Sequence, residues 1–190
     1  MVELLCILGV LAGLLVLAIP VYSRLRSYYN MTQCLHNLRT LSVVSLNYSN
    51  DHNGVFPPNH TGGPIYSNAL VPAYLYPIPG TGTWGFKKSP LVCPAQNSGS
   101  STDHKGVYTP TSYKDPATGK SIKYGLSYAQ NAPKDNLTYR WQVEQPSKMA
   151  LYFELEGHYI TSISRLTDKD ARAALSRRHA GNVNVAFVDG

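Results

Sequence analysis

From Leu4 to Ser23 the chain carries no charged side chain, and Leu, Ile, Val, Ala and Gly fill nearly all of the run. A bilayer core takes about 20 mostly apolar residues as helix, so this stretch is long enough to span one. It is bounded by Glu3 and contains Pro20. A carboxylate inside hydrocarbon costs about 2.5–3.5 kcal/mol even on lenient insertion scales, which marks Glu3 as a residue with a task. Gly9 and Gly13 stand four apart, on one helical face, and permit close helix–helix approach.

Helical spacing persists past the apolar run. Met31, Leu35, Leu38, Leu41, Val44 and Tyr48 recur at steps of three or four, while Arg24, Arg26, Asn30, Gln33, Asn37 and Arg39 fall mostly off that stripe. The pattern predicts one continuous helix of roughly 50 residues, about 75 Å long. Pro20 removes a backbone hydrogen bond and predicts a kink or a locally melted segment. Asn53-Gly54 reads as the helix stop, with Pro57-Pro58 beyond.

Residues 55–120 are rich in Pro, Gly, Ser, Thr, Asn and Tyr, and read as long loops with short strands and turns. Strands are predicted at 122–129, 139–144 and 149–155, and a short helix from Thr167 to Ser176. A last strand is predicted at 182–188, where Val183, Val185 and Phe187 alternate with Asn184, Ala186 and Val188. The fold class is therefore α+β: a long N-terminal helix, kinked near Pro20, whose second half packs on a small antiparallel sheet. Three units follow: the apolar helix 1–23, its amphipathic continuation 24–54, and a β-rich head 55–190.

The chain has 190 residues with 17 basic and 11 acidic side chains, and the basic residues are scattered. Only Lys87-Lys88 and Arg177-Arg178 cluster, which fits a solvated basic surface better than a nucleic-acid binder. Of three cysteines, Cys6 lies in the apolar run and reads as a buried small hydrophobe. Cys34 and Cys93 are available for one disulfide if the head lies outside the cytosol. No Lys or Arg precedes the apolar run and no Ala-x-Ala site follows it, so it differs from an ordinary secretory signal. The chain reads as already processed, a more basic leader having outweighed Arg24 and Arg26 in setting orientation.

Glu154, Glu156 and His158 alternate, so within a strand they share a face and are candidate cation ligands; a polar outer strand face is the favoured reading. Asp168 and Asp170 are too few for a site, and no EF-hand loop occurs. The sequence contains no nucleophile elbow, His-Glu-x-x-His, P-loop or dinucleotide fingerprint, so neither an enzyme nor a cofactor is expected. His179 is expected to bond backbone near the last strand, and Asp189-Gly190 to form a turn. Asn30, Asn47, Asn59 and Asn136 each begin an Asn-x-Ser/Thr triplet and read as incidental. Fourteen tyrosines suit core and loop packing, or subunit contact.

Three parts of the sequence carry a family resemblance. Met1-Val2-Glu3-Leu4-Leu5, the apolar run and Pro20 resemble the N-terminus of a type IV pilin or a type II secretion pseudopilin. The family's Phe-Thr pair is absent, and Glu3 and Pro20 keep their mutual spacing but lie two positions nearer the start, so Met1 is not expected to be the mature N-terminus. Cys34-Leu35-His36-Asn37-Leu38-Arg39-Thr40-Leu41, then Tyr48, Asp51, Asn53-Gly54 and Phe56-Pro57-Pro58, resemble the helix exit of prepilin-like proteins abundant in planctomycetes and verrucomicrobia. Leu91-Val92-Cys93-Pro94, Tyr124-Gly125-Leu126-Ser127-Tyr128 and Pro146-Ser147-Lys148 continue the match. Arg178-His179, nine residues and Asp189-Gly190 form that group's C-terminal signature.

The resemblance implies a non-catalytic subunit, cut by prepilin peptidase and methylated at the new amine. It waits in the inner membrane until the pilus assembly machinery draws it into an extracellular homopolymer. Glu3 then pairs with a neighbour's N-terminal amine. A further strand after Gly190 is implied, either missing here or replaced by a partner. Alternatives are a pseudopilin or minor pilin of a type II secretion or DNA-uptake machine, and a membrane-tethered hydrolase or binding protein.

Overall fold

A computed structural model describes residues 2–58, 69–70, 74–75, 90–95, 111–114, 121–124, 127–131, 139–154, 179 and 181–189. One helix, α1, runs from Val2 to Asp51, 50 residues without interruption. It stays helical through Pro20, so the melted segment expected there does not form. Ser23 Oγ donates to the Pro20 carbonyl at 2.9 Å, a local side-chain bond across that turn. The helix and the three-stranded sheet beneath it make the α+β architecture that the apolar periodicity predicts.

The helix stops where the sequence places the stop, and the chemistry is a Schellman cap. Asn53 takes φ 53°, and the Gly54 N–H bonds back to the Ser49 carbonyl at 2.7 Å. Gly54 itself has φ 80°, and a Cβ built there would overlap the Trp141 ring. That ring belongs to a 3-10 turn, Arg140–Gln142, which closes the helix end: Arg140 N–H donates to the Gly54 carbonyl at 2.7 Å, and Arg140 Nη1 to Asn50 Oδ1 at 3.0 Å. The strand predicted at 139–144 is thus replaced by this turn, with only a Val55–Tyr139 bridge remaining.

Strands β1 (Thr111–Lys114) and β2 (Ser121–Tyr124) pair as an antiparallel hairpin. Strands β3 (Tyr128–Gln130), β4 (Ala150–Glu154) and β5 (Val185–Phe187) form an antiparallel sheet in the order β3-β4-β5. The strand predicted over 122–129 is accordingly two strands in two different sheets. The register of β4 and β5 shifts between Ala150 and Tyr152, a bulge that leaves Leu151 as the extra residue. In the last strand the buried set is Asn184, Ala186 and Val188, whereas Phe187 is exposed. The helix predicted at Thr167–Ser176 lies outside the described residues.

Helix α1 packs on β4 and β5. Its buried face is Cys34, Asn37, Leu38, Leu41, Ser42, Val44, Ser45 and Ser49, while Leu35, from the predicted stripe, is exposed. The contact face is therefore rotated from the purely apolar one. Small side chains let the helix approach the large residues of the sheet, and of the three buried serines Ser45 finds a polar partner there, whereas the Ser42 and Ser49 hydroxyls have none among the described residues. Ser45 Oγ donates to the Leu41 carbonyl at 2.8 Å and lies 2.6 Å from the Tyr152 phenol, whose own hydrogen completes the pair. Phe56, Leu70, Leu91, Tyr128 and Leu151 complete the core around it.

Candidate functional site

Two features stand apart from ordinary packing. The first is a buried polar cluster between helix and sheet. Cys34 on α1 is bonded to Cys93, the disulfide joining positions 59 apart in the chain. Asn37, one turn on, reaches the same segment: its Nδ2 donates to the Val92 carbonyl at 3.0 Å and to the Tyr128 hydroxyl at 3.3 Å. The Ser127 N–H donates to the Leu91 carbonyl at 2.9 Å. One disulfide and two hydrogen bonds thus pin residues 91–93, and the Asn37–Tyr128 bond ties α1 directly to β3.

Against the disulfide sits an imidazole–carboxyl pair. His179 Nε2 lies 3.5 Å from Cys93 Sγ and 3.0 Å from Glu154 Oε1. Glu154 is 0% exposed and His179 2%. The other carboxylate contacts come from one residue: Asn184 donates its backbone N–H to Oε2 and its Nδ2 to Oε1, both at 3.2 Å. Burying a carboxylate without donors costs far more than leaving it in water, and these three N–H groups are what make the position tolerable. The acceptor and its donors each have a place in the backbone: Glu154 ends β4, Asn184 directly precedes β5, and His179 forms a bridge with Asn182, two residues before Asn184.

This arrangement corrects two expectations. Glu154 is not on a polar outer face, because β4 is the central strand and its last residue is covered by helix, disulfide and the turn before β5. His179 uses its ring on a carboxylate rather than on backbone. Of the three candidate ligands in the alternating set, Glu154 joins this cluster, and Glu156 and His158 lie outside the described residues. So do Asp168, Asp170 and Gly190. Asp189 is exposed, in the turn after β5. Sequence reasoning missed Asn184 and Asn37 altogether. Asn184 sits five residues after His179 in the signature stretch, the one signal that could have drawn attention to it.

The second feature is α1 from Leu4 to Tyr29. Among the described side chains its large apolar ones are exposed, including Leu4, Ile7, Leu11, Leu14, Ile19, Tyr22, Leu25 and Tyr29. The helix is long and apolar enough to cross a membrane. Signal sequences and core helices meet the same test of length and composition; among the described residues this apolar stretch is not buried, whereas a core helix is mostly buried. Glu3 lies in the first turn and is exposed. Open space surrounds the positions a Cβ would take at Gly9 and Gly13. Cys6 is a free, exposed thiol in the single chain, not the buried group expected.

The two features meet at an open pocket of about 230 Å³, lined by Ser23, Arg26, Ser27 and Asn30 of α1 and by Ala95 and His179. No family model, no curated protein and no solved structure matches this chain.

Proposed function

We propose that the chain is the structural subunit of a type IV pilus-like filament, assembled through the N-terminal half of α1 from subunits stored in the inner membrane. The observation that carries this reading is the bare apolar helix. From Leu4 to Tyr22 the described large apolar side chains are exposed, on the same helix that farther along supplies part of the head's own core. Such a rod needs a surround, and two are available: lipid, or copies of itself. Exchanging one for the other yields no hydrophobic gain, so association must come from packing, small-residue contacts and polar pairing. Gly9 and Gly13 supply close-approach positions and Glu3 supplies the polar group. An acid left unpaired in that setting costs several kcal/mol, so Glu3 sets register by penalising wrong neighbours.

Prepilin peptidase and the assembly machinery are the partners this reading requires; catalysis and cofactors have no part in it. The test is the Glu3→Ala chain expressed in the native host in place of the wild type. Wild-type subunits are expected in sheared surface filaments, with α1 protected from protease. The variant is expected to remain in the membrane with filament yield reduced about tenfold or more, the effect of losing roughly 1.4 kcal/mol per subunit contact. Equal filament yield from the variant, or a wild type found only as membrane monomers, overturns the reading.

A further inference from the structure

We infer that Cys34, Cys93, His179 and Glu154 form a zinc site when the disulfide is reduced, so that the head is closed either by a sulfur–sulfur bond or by a metal ion. Each residue offers one ligand atom, and all four atoms lie within 4.8 Å of one another, all in buried side chains. Tetrahedral zinc with bonds of about 2.3 Å to sulfur and 2.0–2.2 Å to nitrogen and oxygen sets its ligand atoms roughly 3.3–3.8 Å apart. The Cys93 Sγ to His179 Nε2 distance of 3.5 Å already equals such an edge, and the His179 to Glu154 distance of 3.0 Å needs to open only slightly. The one pair that cannot coexist with a metal is the bonded pair of sulfurs.

The surroundings are those a metal ligand needs. Asn184 donates its backbone N–H to Glu154 Oε2 and its Nδ2 to Oε1, the oxygen that also faces His179, the kind of outer support that orients ligating groups. Two thiolates, an imidazole and a carboxylate are a donor set for zinc rather than for magnesium or calcium, which take oxygen. His179 borders the open pocket beside α1, which gives an ion a path to the ring.

The step balances with a thiol or phosphine reductant. Two electrons and two protons convert the disulfide to two thiols, and the reductant leaves oxidised. Zinc then displaces both thiol protons, and Nε2 binds the metal with its hydrogen moved to Nδ1. The site does not depend on whether the chain polymerises.

The test uses the full chain in detergent micelles, reduced with excess phosphine and titrated with Co²⁺. One Co²⁺ per chain is expected, with the charge-transfer absorption of thiolate ligands and the intense visible bands of tetrahedral cobalt, and stoichiometric displacement by Zn²⁺. The oxidised chain should take up none. Asn184→Ala should weaken binding roughly tenfold or more, and His179→Ala at least as much. Zn²⁺ should also raise the melting temperature of the reduced wild type, a readout that needs no variant. A reduced chain that keeps its helical signal but gives no tetrahedral cobalt spectrum overturns the inference. Affinity unchanged in His179→Ala does so too, as does a reduced, unfolded chain that zinc fails to refold.

Discussion

At the scale of single residues, the molecule rests on polar groups that find partners far away in sequence. Glu154 is bonded to residues 25 and 30 positions on. Replacing it with alanine strands the His179 ring and both Asn184 donors in a buried site, each costing about 1–3 kcal/mol. Glu154→Ala is therefore expected to lower the denaturant midpoint sharply, whereas Glu154→Gln, which keeps an acceptor oxygen, should cost less; equal losses would show that the bonds are incidental. Tyr152 makes a different point. Burial pushes its phenol well above the usual tyrosine value, and the hydrogen bond to Ser45 offsets only part of that. Tyr74 is pushed up to about 12, chiefly by donating to Asp51 at 2.7 Å and then by burial. Both folded values exceed the unfolded value of 10.0, so the protonated phenols favour the fold. Their contribution is whole below pH 10; the Tyr74 share is lost as pH climbs through about 12, and the Tyr152 share at still higher pH. Denaturation measured from pH 9 upward should show stability falling above 10. Tyr152→Phe should lose about 1 kcal/mol at neutral pH while flattening that alkaline decline.

At the scale of elements, what the sequence reveals depends on whether the determining contacts are local. The helix from Val2 to Asp51 was legible because its causes are local: periodicity, Asn53-Gly54 and the absence of an interior breaker other than Pro20. Pro20 did not melt it, since the missing bond is one among a long ladder. The buried face of that helix was less legible. Ser45 does not look like a core residue until Tyr152 is placed against it, and Asn37 does not until Val92 and Tyr128 are. The 139–144 stretch was misread for the same reason. Its aromatic content suits a strand, but Arg140 and Trp141 are held by the helix end some 90 positions away. That contact gives a prediction at this scale. Gly54→Ala should destabilise through two separable causes: strain of about 1–3 kcal/mol at φ 80°, and collision with the Trp141 ring. Adding Trp141→Ala should recover the collision but not the strain, and a double-mutant cycle measures the difference. Full recovery, or none, would show that only one cause operates.

At the scale of the whole molecule, the chain divides by burial rather than by secondary structure. Helix α1 is one element, yet among its described side chains burial begins only at Cys34, and the large apolar ones from Leu4 to Tyr29 are exposed. The apolar half thus contributes nothing to the head's core, whose members from the helix are Cys34, Leu38, Leu41 and Val44. Helix propensity cannot change this, because most of a helix's stability in a folded protein comes from its packed face. It follows that a chain starting at residue 30 should fold into the same head. About six turns of the helix remain, the Asn53 cap is intact, and the Cys34–Cys93 bond still ties the helix to the head. Only the pocket lined by Ser23, Arg26 and Ser27 loses its helix wall. The truncated head is expected to be soluble without detergent, monomeric by sedimentation, and within a few degrees of the full chain's melting temperature. If it instead unfolds or melts far lower, the exposed half of the rod supports the head in a way burial does not reveal. If it folds but still assembles, the rod is not the seam through which copies meet.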